Sequence, residues 1–376
     1  MATVSNKNRR CGSDDEERIT MSDKKTVLVL FGGMSSEHEV SRSSAASILR
    51  NIDRDRYNVR VIGITKKGAW IETAAPPEMI EDGTWINRIN NRNAYICPDR
   101  RVHGIRTEKG KDIRIDCVFS VLHGKYGEDG AMQGLLELAG IPYAGSGVLS
   151  SACTMDKVVS KVLANEGGIR QAEYCVLDWF TFATQAAQEL QRVEETLGAY
   201  PYFVKPANTG SSVGVAKVRD RNELFEGIKE AAKYDDKILV EETIVGRELE
   251  VAVLGDRHPH ASPVGEIVAA DEFYSYEAKY GGMGSVAEVA ENLSEEVADR
   301  IRETAIEVYK LLGCSGYSRV DFFLKGEDEI YFNEINSLPG FTSISMYPKL
   351  WDAAGVPYSE LITRLIENAM DEDNNN

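Results

Sequence analysis

The feature that most constrains this chain is the regular alternation of apolar runs and helix-like segments over about its first 120 residues. Apolar runs occupy residues 27–33, 58–64 and 116–124, and residues 36–52 have a helical pattern. Buried apolar strands that alternate with helices are typical of a parallel sheet covered on both faces. The pattern therefore predicts an N-terminal α/β domain built on a parallel sheet.

The rest of the 376-residue chain is long enough for further domains. From Lys237 onward the strand patterns predict mainly antiparallel pairing. We predict an α/β and α+β protein with three domains. These lie at residues 25–146, 147–240 and 241–368, between a disordered leader (1–24) and a disordered tail (369–376).

Composition excludes several classes of partner. The formal net charge of −17 argues against nucleic acid, which needs a basic surface. No apolar run approaches the roughly 20 residues that span a bilayer, so no membrane partner is predicted. The six cysteines are scattered without a C-x-x-C pair, as is usual for reduced thiols in the cytoplasm. We expect a cytoplasmic protein that handles small anions through a few lysines, together with metal cations.

A hairpin is predicted near the C-terminus. A two-residue loop at residues 327–328 would join its strands. That loop sets a register in which Asp321 pairs with Glu334 and Arg319 pairs with Asn336. Because side chains alternate along a strand, these four lie on one face.

The polar face of this hairpin has the composition of a metal site. Phe323 and Phe332 are expected on the same face as its two carboxylates and its amide oxygen. Hard oxygen donors of this kind suit Mg²⁺. The alternative is a surface hairpin with cross-strand charge pairs. Residues 336–345 (NSLPGFTSIS), rich in hydroxyls and backbone donors, follow at once and favour the metal site.

A second group of residues has the chemistry of a phosphate site. Lys205 ends an apolar strand, and residues 209–214 (TGSSVG) can place backbone N–H groups over phosphate. The spacing is not that of a P-loop, and a Gly/Ser turn alone is a weak signal. Lys157 and Lys279 supply two further cations. Three lysines, a glycine loop and a metal site together predict a nucleoside triphosphate bound with its metal ions.

Seven stretches carry a family resemblance. They are GGMSSEHEVS (32–41), HGKYGEDGAMQGLLE (123–137), GIPYAGSGVLSSACTMDK (140–157), VKPANTGSSVG (204–214), YEAKY (276–280), SRVDFF (318–323) and NEINSLPGFTSISMYP (333–348). Together they resemble the D-alanine–D-alanine ligases of the ATP-grasp superfamily, over residues 24–368. The resemblance implies an ATP-grasp fold preceded by the α/β domain, and a homodimer.

The resemblance also implies a reaction. ATP phosphorylates the carboxylate of one D-alanine, and the amine of a second D-alanine attacks the acyl phosphate. The products are the dipeptide used for peptidoglycan precursors, ADP and phosphate. Two Mg²⁺ ions, or Mn²⁺ in their place, are implied as cofactors.

Site residues follow from the same resemblance. Asp321, Glu334 and Asn336 match the metal ligands. The residues that match ATP contacts are Lys157, Lys205, Ser212 and Lys279 at the phosphates, Glu241, Glu242 and Ile244 at adenine, and Glu248 at ribose. Glu242 departs from the lysine of some members, but that contact is made largely through the backbone.

The segment SSEHEVS (35–41) offers two glutamates after the glycine pair, where a phosphate would be repelled. Ser36 and Glu39 form a capping-box pattern, so a structural role is expected for Glu39. Glu37 matches the carboxylate that holds the ammonium of the first D-alanine. His38, between the two glutamates, is expected to be exposed. His123 follows a strand end and matches a histidine near the first substrate.

The second step draws on further matches. Arg319 and the N–H of Gly340 would stabilise the tetrahedral oxyanion. Ser345 and Lys279 match contacts to the second substrate's carboxylate. Glu37, Ser211 and Tyr280 would form a hydrogen-bonded set between the N-terminal domain and the covering loop.

Three alternatives stay open. A sibling ligase would make D-alanyl-D-lactate or D-alanyl-D-serine with the same ATP machinery. A non-catalytic ATP-binding module would not need the full metal set and all three lysines. A glycosidase would use the carboxylate pair but has no use for the lysines or the glycine loop.

Overall fold

The structure, a computed structural model, describes residues 24–268, 286–342 and 344–373. Its first elements are β1 (Lys25–Gly32), α1 (His38–Asn51), β2 (Tyr57–Ile64), β3 (Trp70–Glu72), α2 (Pro77–Glu81), a 3-10 turn (Thr84–Asn87), β4 (Arg92–Ile96), β5 (Gly104–Thr107), β6 (Asp112–Arg114), β7 (Cys117–Ser120) and α3 (Ala131–Ala139). The predicted parallel strands are confirmed, because β1 pairs in parallel with both β2 and β7.

The N-terminal sheet extends further than the sequence predicted. Its order is β6-β5-β4-β3-β2-β1-β7, and the pairs from β2 outward to β6 are antiparallel. Alternate residues of β1 pack into two different cores. Val29 lies with Ile48 of α1 on one face, while Leu30 lies with Leu136 of α3 on the other. A strand buried on both faces reads as a continuous apolar run, which is the pattern seen in its sequence.

The middle of the chain forms a second, antiparallel sheet of order β10-β9-β11-β8. Its elements, with the two preceding helices, are α4 (Val148–Met155), α5 (Lys157–Glu166), β8 (Tyr174–Asp178), α6 (Trp179–Leu197), β9 (Tyr202–Pro206), β10 (Ala216–Val218), α7 (Arg221–Ala231) and β11 (Lys237–Glu242). Its apolar face packs on α6 and α7. Asp156 caps α5, because its carboxylate accepts the backbone N–H groups of Val158 and Val159 at 3.0 and 3.1 Å.

The last part contains a third sheet of order β15-β14-β12-β16-β17, with β13 paired to β12. Its elements are β12 (Arg247–Leu254), β13 (His260–Ala261), β14 (Gly265–Val268), β15 (Val286–Val289), α8 (Glu295–Leu311), β16 (Tyr317–Lys325), β17 (Glu329–Asn336), α9 (Met346–Ala353) and α10 (Tyr358–Asp373). None of the helices in the part of the chain that the structure describes has the length and hydropathy of a membrane span.

The predicted two-residue hairpin loop is wrong, although the pairing derived from it is right. Lys325 pairs with Glu329, so three residues form the turn. An irregularity opposite Asp321 and Phe322 then shifts the register by one residue, which leaves Asn333 as the extra residue of a β-bulge. The bulge restores the pairs Asp321–Glu334 and Arg319–Asn336.

The bulge also corrects the expected face of one aromatic residue. Phe332 does not share the polar face; it pairs with Phe322 and both rings are buried, with ring centroids 6.3 Å apart. Because a bulge puts two successive side chains on one side of the strand, Asn333 joins Glu334 on the polar face. Both residues line the cleft described below.

The expected disordered tail is wrong for residues 369–373, because α10 continues to Asp373. Leu361, Leu365 and Ile366 of α10 are almost fully buried in the same core as β1 and β7. Ala369 and Met370 pack against that core. Apolar contacts thus hold α10 as far as Met370, and they tie this helix to the N-terminal sheet.

Candidate active site

A cleft of about 270 Å³ lies between the second and third sheets. It is lined by most of the residues predicted to bind nucleotide and metal. These are Lys157, Lys205, Ser211, Ser212, Glu241, Glu242, Ile244, Glu248, Asp321, Glu334 and Asn336. Lys279 and Tyr280 lie outside the described residues. The cleft therefore gathers groups that are more than 150 residues apart in the chain.

Three side chains at the floor of this cleft form a buried ion cluster. The Lys161 Nζ lies 2.6 Å from Glu241 Oε1, and the Lys205 Nζ lies 2.5 Å from Glu241 Oε2. Burial alone would raise the pKa of the Glu241 carboxyl, but the charges of the two lysines lower it to about 2. Glu241 is thus an anion at neutral pH.

The predicted metal ligands lie together at the end of the cleft. Arg319 donates to both oxygens of Asp321 at 2.6 and 2.7 Å, and Asn336 Nδ2 donates to Asp321 Oδ2 at 3.1 Å. Lys157 Nζ lies 3.3 Å from Glu334 Oε2. In the described part of the chain, no three His, Cys, Asp or Glu side chains converge as a metal centre would require. Two carboxylates with one amide oxygen nevertheless fit Mg²⁺, which keeps its remaining positions for water and phosphate oxygens.

The glycine-rich loop over the cleft has an uncommon backbone. Ser211 and Ser212 both have positive φ, 51° and 59°. Residues other than glycine, asparagine and aspartate rarely adopt this backbone conformation, and the exceptions cluster at functional sites. Lys157 Nζ donates to the carbonyl of Thr209 at 2.8 Å, which anchors the loop to α5.

Glu37 connects the N-terminal domain to this loop. Its side chain is 6% exposed and accepts a hydrogen bond from the Ser211 hydroxyl. Gly210 and Gly124 both pack against the carboxylate: an added Cβ would stand 2.8 and 2.5 Å from Glu37 Oε2. Only glycine permits this approach at both positions. A buried carboxylate therefore lies directly beneath the loop that lines the cleft.

Two expectations about the neighbours of Glu37 are wrong. The capping box of Ser36 and Glu39 is not formed, because Glu37 is the N-cap and α1 has no side-chain cap. Glu39 instead pairs with Lys66 at 2.6 Å on the surface. His38 is buried rather than exposed, since the turn folds its ring back so that Nδ1 bonds the Gly33 carbonyl at 2.7 Å.

His123 lies in the loop that follows β7, beside the segment that contains Glu37. Its Nδ1 is 3.2 Å from Glu128 Oε1 and its Nε2 is 3.1 Å from Ser44 Oγ. Burial would lower the pKa of His123, but Glu128 and then Glu37 favour the charged ring and raise it above the ordinary 6.5. Glu37 follows β1 and His123 follows β7. The two residues therefore lie beyond the carboxyl ends of adjacent parallel strands, where open α/β sheets bind ligands.

The segment after β17 completes the site. The Phe341 N–H donates to Ser44 Oγ at 3.4 Å, and the same hydroxyl contacts His123. Gly340, the residue before Phe341, therefore lies near His123. Thr342 N–H donates to Ser345 Oγ at 3.0 Å, so the hydroxyl of Ser345 is held at the start of α9. Arg319 comes from β16, whereas Gly340 and Ser345 come from the segment between β17 and α9.

Comparison with known families decides the relationship. The family described as "D-ala D-ala ligase N-terminus" matches residues 26–146, and "D-ala D-ala ligase C-terminus" matches residues 163–367. The chain belongs to the D-alanine–D-alanine ligase family. A D-alanine–D-alanine ligase of Clostridium acetobutylicum is 50% identical over 352 residues, which cover 93% of this chain and 99% of that relative. A D-alanine–D-alanine ligase of Acetivibrio thermocellus is 48% identical, over 95% of this chain and 98% of that relative.

Solved structures of the family share the fold. The VanG D-Ala:D-Ser ligase from Enterococcus faecalis has a TM-score of 0.84 at 39% identity, over 92% of this chain and 99% of that one. The D-alanine–D-alanine ligase from Coxiella burnetii has a TM-score of 0.82 at 37% identity, over 94% of this chain and 97% of that one. The predicted ATP-grasp fold with its N-terminal α/β domain is therefore confirmed.

Several residues of the site were missed from the sequence. Lys161 could have been found, because it follows Lys157 by one helical turn and shares its face. Glu250, which lies 3.1 Å from Arg319, shares the face of Glu248 on β12 by strand alternation. Asn333 depends on the bulge, which the hairpin pattern did not show.

Proposed function

We propose that this chain joins two D-alanine molecules at the expense of ATP, through a D-alanyl phosphate, in the synthesis of peptidoglycan precursors. The observation that carries the proposal is the buried Glu37 carboxylate under the glycine-rich loop. An anion at that place repels phosphate but attracts an ammonium group. An amino acid held there by its ammonium would present its carboxylate to a nucleotide in the cleft.

In the first step, Glu37 and His123 would bind the first D-alanine. The ATP phosphates would lie under the loop of Ser211 and Ser212, with Lys157, Lys205 and Lys279 around them. Adenine would contact Glu241, Glu242 and Ile244, and the ribose would contact Glu248. A carboxylate oxygen of D-alanine attacks the γ-phosphorus, and ADP leaves.

Asp321, Glu334 and Asn336 would hold the two Mg²⁺ ions, which Mn²⁺ could replace. The ions supply positive charge that neutralises the phosphates during transfer. Within the chain, Arg319 orients Asp321 through two hydrogen bonds of 2.6 and 2.7 Å. Lys157 lies 3.3 Å from Glu334 on the side of the loop.

In the second step, the amine of the second D-alanine attacks the acyl carbon and phosphate leaves. Arg319 and the Gly340 N–H would stabilise the oxyanion, as preorganised donors do. Ser345 and Lys279 would bind the carboxylate of the second substrate. Ser211 and Tyr280 would link Glu37 to the loop that covers the site.

We also propose that the enzyme is a cytoplasmic homodimer. Family resemblance supports the dimer. The cysteines of the described residues, Cys97, Cys117, Cys153, Cys175 and Cys314, all carry free thiols, as a reducing compartment would leave them.

A second candidate is a ligase with a different acceptor. The structural likeness to a D-Ala:D-Ser ligase favours considering it. The test is to incubate the chain with ATP, Mg²⁺ and D-alanine, alone or with D-serine or D-lactate, and to quantify phosphate and each product by chromatography. We expect D-alanyl-D-alanine as the main product of every mixture. A preference for D-alanyl-D-serine or D-alanyl-D-lactate would overturn the acceptor, and phosphate release without a coupled product would overturn the ligase.

Tyr280 is the residue that we propose to govern this choice. D-alanine and D-lactate have nearly the same shape, so discrimination must come from polar groups around the nucleophile. Tyr280→Phe removes one hydroxyl and keeps the ring. We expect more D-alanyl-D-lactate from mixed substrates, most clearly at mildly acidic pH, where the amine is protonated. A product ratio equal to wild type at every pH would remove Tyr280 from acceptor choice.

A further inference from the structure

The ion cluster of Lys161, Glu241 and Lys205 is buried to different depths. All three residues line the cleft, but the side chains of Lys161 and Glu241 are only 2% and 4% exposed, whereas that of Lys205 is 14% exposed and donates to Asn333. The Lys161 Nζ lies 5.5 Å from the centroid of the Tyr174 ring, on β8 of the second sheet. Lys161 is thus the more deeply buried of the two lysines that contact the carboxylate, and Lys205 is the more exposed one.

The charges of this cluster do not cancel, since two ammonium groups share one carboxylate. Buried charges are tolerated when each has a partner of opposite sign. Lys161 and Glu241 satisfy this condition as a neutral pair. Lys205 is then the surplus cation, on which Glu334 and Glu248 also act across the cleft. An anionic ligand in the cleft would add a further counter-charge to Lys205.

We propose that Lys161 is a positioning residue for the nucleotide: it neutralises Glu241 from the buried side and so leaves the charge of Lys205 to the phosphates of ATP. The inference rests on the proposed function, in which Lys205 contacts those phosphates. Without Lys161, Glu241 and Lys205 form a neutral pair of their own. The cation would then be held at the floor of the cleft.

Lys161→Met tests the inference, because methionine keeps most of the apolar stem and removes the ammonium. Its Glu241 keeps Lys205 as a partner, so the variant should fold, which a thermal melt checks. The measurement is calorimetric titration of the full chain with ADP and Mg²⁺, and competition by adenosine, which lacks phosphate. Lys229→Met is the matched control, since Lys229 is an exposed residue of α7 that pairs with Glu226.

We expect Lys161→Met to weaken ADP about tenfold, the change that about 1.4 kcal/mol produces. Adenosine should bind both proteins alike, and Lys229→Met should bind ADP as the wild type does. Equal ADP affinity in Lys161→Met and wild type would overturn the inference. An equal loss for adenosine and ADP would also overturn it, because it would indicate a general distortion of the cleft.

A double-mutant cycle with Glu241→Gln separates charge from packing. Once Glu241 is neutral, it no longer holds Lys205, so adding Lys161→Met should change ADP affinity by no more than about twofold, the usual error of additivity. A tenfold loss in both backgrounds would assign Lys161 a packing role only. A wild-type chain that bound no ADP would count against the proposed function itself, whereas normal ADP binding by Lys161→Met counts against this inference alone.

Discussion

At the scale of single residues, three glutamates of the site differ in their partners rather than in their chemistry. Glu37 accepts a hydrogen bond from the Ser211 hydroxyl. Glu334 lies beside Lys157 and also acts on Lys205, and Glu241 pairs with both Lys161 and Lys205. The predictions for single residues follow from this difference.

Glu334→Gln should preserve the fold, since the change is nearly isosteric, but it removes one charge from the proposed metal site. We expect turnover to fall at least about 100-fold, or about 2.7 kcal/mol of transition-state stabilisation. The matched control is Glu329→Gln, at the other end of β17, where the carboxylate pairs with Arg170 at the surface. Near-normal turnover of Glu334→Gln at saturating Mg²⁺ would exclude Glu334 as a ligand.

Glu37→Gln should weaken the first D-alanine far more than ATP. A charge-assisted bond to the ammonium is lost, so KM for D-alanine should rise at least about tenfold. Glu39→Gln is the control, because its exposed pair with Lys66 contributes little. The steady-state KM values of both variants decide the point. If Glu39→Gln had the larger effect, the wrong glutamate would have been assigned.

His123 should make stability depend on pH. Burial lowers the pKa of His123 in the folded state, but Glu128 raises it, and the net pKa lies above 6.5. The protonated ring therefore stabilises the folded state. This contribution is complete below the unfolded pKa of about 6.5 and is lost as pH rises through the folded value. Glu128→Gln should lower the melting temperature at about pH 6 and matter much less near pH 9. A difference from wild type that stays constant across pH would contradict this origin.

At the scale of elements, the β16–β17 hairpin shows what alternation can and cannot predict. Alternation with a period of two placed Asp321 and Glu334 on one face, but their pairing was derived from a two-residue loop that is not formed. The three-residue turn and the bulge each shift the strand pairing by one residue, in opposite directions, so the predicted pairing is right although neither feature was predicted. The bulge adds Asn333 to the cleft, and no periodic pattern could show this.

The last helix illustrates a second limit. Its polar end suggested a disordered tail, yet α10 packs its apolar face on the N-terminal sheet. Leu365→Ala should therefore cost about 2–5 kcal/mol of unfolding free energy through cavity formation. Arg364→Ala, which removes only a surface pair with Glu360, should stay within about 0.5 kcal/mol. Chemical denaturation measures both, and equal small effects would show that α10 is not part of the core.

At the scale of the whole molecule, the site exists only where three sheets meet. The sequence motifs gave separate predictions for the nucleotide, metal and substrate residues, because each motif is local in the chain. The contacts between them are not local: Ser211 reaches Glu37 across 174 positions, and Lys205 reaches Asn333 across 128. The contact of Lys161 with Glu241 is also long-range, so the only sign of Lys161 in the sequence was its spacing of one helical turn from Lys157.

The central claim is that the carboxylate of one D-alanine becomes an acyl phosphate. Turnover of D-alanine labelled with oxygen-18 in its carboxylate, with unlabelled ATP and water, tests this claim most directly by mass spectrometry of the released phosphate. We predict one labelled oxygen in each phosphate, since the attacking carboxylate oxygen stays on phosphorus when the amine displaces it. Phosphate that carries no label, or the release of AMP and pyrophosphate, would contradict the account.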